Sequence, residues 1–163
     1  MKLKYKKGYS LIELIIYIAL LGIFLYSLTN LFISSIDLRL ETEANSSVEQ
    51  DGRFILNRLR YDITQSTAIV VPATLGVPDD TLTLSRGGTN YTYSVVGGNF
   101  EVTNGVNTDQ LNSTRTTIPS ISFLRLGNVG GKNTITVSFT VNSETVQTQG
   151  VKSRSYEVTF GIR

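Results

Sequence analysis

Three regimes of hydrophobic patterning follow one another along the 163 residues. From Leu14 to Ile36 there is no Asp, Glu, Lys or Arg. As a helix that run would extend about 35 Å, enough for the ~30 Å hydrocarbon core of a bilayer. After Ile36 the apolar positions thin to a stripe. Ala44, Val48, Gly52, Ile55, Leu59 and Ile63 recur every three or four residues, and Glu41, Glu43, Glu49, Gln50, Asp51, Arg53, Asn57, Arg58 and Arg60 lie between them. This pattern predicts an amphipathic helix with one packed face and a wet opposite face. Gly52 costs about 1 kcal/mol relative to Ala in a helix interior and marks either close packing or a bend. The helix should end near Ser66, before Ile69-Val70-Val71-Pro72. A helix from Ser10 to Ser66 would measure ~85 Å, more than the core of a small domain can use. Part of it must be buried elsewhere.

From residue 67 to 163 the period drops to two. Asp80–Ser85 alternates and meets Gly87-Gly88; Asn90–Val96 follows and turns at Gly97-Gly98 into Asn99–Thr103. Two-residue Gly-Gly links between alternating runs predict hairpins. A looser stretch, 104–117, precedes Ile121–Leu126, a turn at 127–132, Thr134–Val141 and a last strand over Ser155–Ile162. The expected fold is α+β: a long N-terminal helix packed on a C-terminal antiparallel sheet, one face of which the amphipathic half of the helix covers.

Composition narrows the chemistry. The chain has no Cys and no His, which excludes disulfides, a thiol nucleophile, a His-based metal site and a Ser-His-Asp triad. Its formal +2 charge is uneven. Lys2, Lys4, Lys6 and Lys7 precede Gly8, and without the first eight residues the chain carries 11 basic and 13 acidic side chains. The basicity is a short N-terminal cluster, not a nucleic-acid-binding face. The apolar run is too long for a cleaved signal core of roughly 7–15 residues. Lysines before it and Asp37, Glu41 and Glu43 after it place the N-terminus in the cytoplasm and everything beyond Ile36 outside.

Glu13 is the anomaly, a carboxylate at the head of the apolar run in Lys6-Lys7-Gly8-Tyr9-Ser10-Leu11-Ile12-Glu13. Two readings stand side by side. In the first, Ser10-Leu11-Ile12-Glu13 is a capping box, with the carboxylate also favoured by the helix dipole. In the second, the chain is cut between Gly8 and Tyr9, and the new α-amino group of Tyr9 in one helix meets Glu13 of a neighbour. A carboxylate near hydrocarbon is costly alone and much less so when paired, so such a pair would set the register of an assembly.

The lysine pair, Gly8, Tyr9 through Glu13 and the apolar run together resemble the class III signal of type IV pilins and pseudopilins. That resemblance implies cleavage after Gly8 by a prepilin peptidase, N-methylation of Tyr9, and Glu13 as the assembly carboxylate. Tyr9 stands where phenylalanine is usual in that family. Gly22 falls where the family often has a helix-loosening glycine, and Asn30 where many major pilins have proline. The stretch Arg53–Ser66 is similar to the helix end of larger minor pseudopilins, such as the J component of type II secretion and the W-type minor pilins. The implied partners are the peptidase, other pilin or pseudopilin subunits, an inner-membrane assembly platform and the membrane. No cofactor, metal or enzymatic activity is implied. The implied division is a leader at 1–8, a membrane and filament-core half-helix at 9–36, an amphipathic half at 37–66 and a β-rich extracytoplasmic domain at 67–163.

The rest of the chain offers weaker candidates. Asp79, Asp80, Asp109 and Glu144 could bind Ca²⁺ only if loops gathered them, and as they stand read as turn carboxylates. Asn45, Asn90 and Asn112 each open an Asn-x-Ser/Thr sequence, common by chance in so Thr-rich a chain. Tyr91, Tyr93 and Phe100 read as core or cross-strand packing before ligand contacts. The reading that results is a minor pilin or pseudopilin. A cysteine-free major pilin and a membrane-anchored extracytoplasmic binding module are the alternatives.

Overall fold

A computed structural model describes residues 10–128, 130–147 and 150–162. They form two compact units, one up to Arg39 and one from Leu40 onward. A single helix, α1 (Leu11–Gln65), runs from the first into the second. It starts at a serine cap: Glu13 N–H donates to Ser10 Oγ at 3.3 Å. It ends one residue short of Ser66, whose hydroxyl donates back to the Ile63 carbonyl at 2.7 Å.

Within the first unit none of the described residues of the helix is buried. Every residue from Leu11 to Arg39 is exposed except Glu13, which is half-buried. Long apolar side chains such as Leu14, Ile18, Leu25 and Phe32 all face outward. Among the described residues, α1 is the one helix long and apolar enough to cross a membrane.

The second unit holds the β-structure, and it comprises two antiparallel sheets where the alternation alone suggested one. The first has the order β1 (Ala68–Val71), β3 (Leu82–Arg86), β4 (Thr89–Val96), β5 (Asn99–Thr103), β6 (Thr108–Gln110). The second runs β10 (Ser153–Gly161), β9 (Thr134–Ser143), β8 (Ile121–Leu126), β2 (Pro78–Asp79), with β7 (Thr116–Thr117) also on β9. The Gly-Gly hairpins form as expected. Gly87 and Gly88 have φ of 58° and 81°, Gly97 and Gly98 of 60° and 85°. Positive φ at both central residues is what a two-residue turn of the right twist demands. The stretch 104–117 is less irregular than its composition suggests, because β6 and β7 find partners in β5 and β9.

One core joins helix and sheets. Val48, Ile55, Leu59 and Ile63 of α1 lie among Leu82, Leu84, Tyr93 and Phe100 of the first sheet and Phe123, Ile135, Val137 and Val141 of the second. The buried stripe of α1 is the predicted one with polar additions. Asp51 and Asp62 are buried in it as well, so Asp51 does not belong to the wet face.

Candidate functional site

Gly8 and Tyr9, the expected cleavage and methylation positions, lie outside the described residues. Glu13 lies in the first turn of α1. Half of the expected capping box is formed, the Ser10 hydroxyl accepting from the Glu13 amide. The carboxylate itself is engaged forward along the helix: Oε1 accepts from the Tyr17 hydroxyl at 3.3 Å. Four residues is one turn, which places the two side chains on the same face. Tyr17 held no place in the motif-based reading, although its spacing from Glu13 was a usable signal. Below this pair the helix presents only apolar and small polar side chains until Asp37.

The two buried acids of α1 attach the helix to the β-structure. Asp62 is 3% exposed. It receives Arg58 Nε at 2.5 Å, an Arg86 guanidinium N–H at 2.8 Å and the Tyr93 hydroxyl at 2.5 Å. A buried carboxylate is tolerable when paired and fully hydrogen-bonded, and here two cations and a phenol meet that condition. Burial first, then the hydrogen bond and charge of Asp62, push the Tyr93 phenol well above its ordinary range. Arg86 also lies over the ring of Tyr91, 4.5 Å from its centroid.

Asp51 does the same for Ser113 and for Thr116 of β7. Its Oδ2 accepts from the Ser113 amide at 2.9 Å, the Ser113 hydroxyl at 2.7 Å and the Thr116 hydroxyl at 2.5 Å. Exposed pairs, Glu43 with Arg115 and Glu49 with Arg53 and Arg154, flank it and add little, typically under ~1 kcal/mol each.

The remaining candidates are structural in place. Tyr93 and Phe100 are fully buried and Tyr91 packs against the core from its edge. Asn112 is buried: its Oδ1 accepts from Phe100 N–H at 2.8 Å and its Nδ2 donates to the Thr116 carbonyl at 2.6 Å. Asp79 and Asp80 accept from the amide and hydroxyl of Thr81. Among the described residues no three His, Cys, Asp or Glu side chains are placed to share a metal ion.

Residues 3–25 match the prokaryotic N-terminal methylation motif. No curated protein and no solved structure matches the chain. The matched motif is the class III signal of type IV pilins, and with the long apolar helix behind it, it indicates a pilin-like substrate of prepilin peptidase. Processing by that peptidase and assembly with other pilins are what such a signal implies.

Proposed function

We propose that this chain is a prepilin that matures into a minor pilin or pseudopilin, a structural subunit of a type IV pilus, a type II secretion pseudopilus or a DNA-uptake pseudopilus. Residues 1–8 are the leader. The peptidase cuts after Gly8, and Tyr9 becomes the methylated N-terminus. Residues 9–36 hold the subunit in the membrane, N-terminus in the cytoplasm, and then enter the filament core. Residues 37–66 carry the β-rich domain, 67–163, outside.

The observation that carries this reading is the methylation motif at 3–25 running into a stretch of α1 whose described residues are all exposed from Leu14 to Arg39. A face of long apolar side chains must leave water, first in lipid and then against the same face of other subunits. In that setting Glu13 gains a partner when the amine of a neighbour's Tyr9 reaches it. Minor status is supported by the lack of a cysteine pair, the lack of proline between Leu14 and Ile36 and the resemblance of Arg53–Ser66 to the larger minor pseudopilins.

Intact mass and N-terminal sequencing test the reading, on protein co-expressed with a prepilin peptidase, as wild type and Gly8→Ala. The expected product begins at methylated Tyr9, and Gly8→Ala abolishes it. A wild-type chain that keeps its lysine leader overturns the proposal and leaves a membrane-anchored β-domain.

A further inference from the structure

We infer that Tyr17 is a holding group for Glu13, occupying the assembly carboxylate of the unassembled subunit and releasing it when a neighbour's amine arrives. This rests on the proposed filament role of Glu13. A subunit waiting in the bilayer has a carboxylate at the head of an apolar helix and no neighbour. The cost of such a group falls when a donor within its own helix reaches it. Tyr17 supplies that donor from one turn away, where its side chain is already directed back toward the preceding turn.

Two features suit a temporary partner. The contact is 3.3 Å long, whereas a phenol bound firmly to a carboxylate closes to about 2.5–2.7 Å. A neutral phenol is also a weaker partner than an ammonium group, which adds a full opposite charge. Glu13 is nevertheless the one residue between Ser10 and Arg39 that is half-buried where the others are exposed.

Isotope-edited infrared spectra of the uncleaved chain in lipid nanodiscs test this. Glutamate is labelled with ¹³C at its carboxyl carbon, and the Glu13 band is isolated by subtracting the Glu13→Gln spectrum. Tyr17→Phe keeps the ring and removes only the hydroxyl. The expected result is a shift of the Glu13 carboxylate band toward the unbonded position. A Glu13 band identical in wild type and Tyr17→Phe overturns the inference. Because the sample is never cleaved, that outcome is separate from a failure of processing at Gly8, which the mass measurement reads by itself.

Discussion

Tyr93 and Asp62 lie 31 positions apart in sequence and are joined by a 2.5 Å hydrogen bond between the phenol and carboxylate Oδ2, both groups buried. The bond fastens the last turns of α1 to the middle strand of the first sheet. Removing it by Tyr93→Phe keeps the ring and its tilted contact with Phe100, at 6.0 Å between centroids. Asp62 still has Arg58 and Arg86. The loss should therefore be that of one hydrogen bond to a charged acceptor, about 1.5–3 kcal/mol. Urea unfolding of the full chain in detergent micelles measures it. Asp62→Ala is expected to cost more, since it leaves the Tyr93 hydroxyl and Arg86 without their acceptor.

The same phenol gives the β-domain an alkaline limit. Its folded-state pKa lies above its unfolded value of about 10, so the folded form holds a proton that the unfolded form has lost. The contribution is whole below pH ~10 and is lost as pH rises toward the folded-state value. Tyr156, raised by burial against the opposing charge of Arg154, acts in the same direction. Thermal midpoints should be flat in Tyr93 terms below pH ~10 and fall above it, and Tyr93→Phe should flatten that fall. An equal alkaline slope in wild type and Tyr93→Phe would remove Tyr93 as its source.

Gly52 answers the choice between close packing and a bend. An ideal Cβ at this position would lie 2.2 Å from Tyr156 Cζ and 2.3 Å from its hydroxyl oxygen. The ring lies against α1 at Gly52, its hydroxyl donates to the Val48 carbonyl at 3.2 Å, and it stacks on Phe139 at 5.2 Å. Ala would gain about 1 kcal/mol of helix propensity. It would also drive the ring out, at an overpacking cost of roughly 1–3 kcal/mol, so Gly52→Ala should be net destabilising. The decisive measurement is a double-mutant cycle. In a Tyr156→Ala background the clash is gone, and Gly52→Ala should become neutral or stabilising.

These contacts mark where reading the sequence stops. Helix end and hairpins were legible because their signals are local: an apolar stripe that stops at Ile63, and Gly-Gly pairs between alternating runs. The burial of Asp51 and Asp62 was not. Both fall on the stripe by spacing, beside Val48 and Ile55 or Leu59 and Ile63, but hydrophobic periodicity counts only apolar residues. Apart from Arg58, one turn before Asp62, their donors come from 62 and 65 positions away for Asp51 and from 24 and 31 for Asp62. The division into two sheets is hidden for the same reason, since it depends on which strands pair across such distances. At the N-terminus the motif was legible as pattern, and Tyr17 went unread because the pattern assigns it no role.

Asp51 offers a local test of that long-range attachment. Three donors converge on one of its oxygens, and all belong to the segment 113–116. Asp51→Ala should leave the strand pairs of the first sheet intact and loosen this segment. The total cost should be on the order of 3 kcal/mol, because each donor recovers part of its loss from water. Hydrogen exchange reads it directly: faster exchange at the Ser113 amide, with little change at Tyr93. Uniform acceleration across both would mean that Asp51 supports the whole domain.

The last prediction concerns Glu13 in the proposed filament. Glu13→Gln keeps the size of the side chain, the Ser10 cap on its amide and the apolar run behind it. Anchoring and cleavage at Gly8 should therefore persist, because neither needs a charge at this position. Incorporation should not. A neighbour's amine would then enter a low-dielectric contact without a counter-charge, and removing one member of a buried ion pair costs on the order of 3–5 kcal/mol. By the tenfold change that each ~1.4 kcal/mol produces, that is roughly a hundredfold or greater loss of the subunit from sheared filaments. Mass spectrometry of the membrane pool and quantitative blotting of the filament fraction check the two halves separately. If Glu13→Gln subunits are mature and enter filaments at the wild-type level, the carboxylate is a helix cap alone and the register of assembly is set elsewhere on α1.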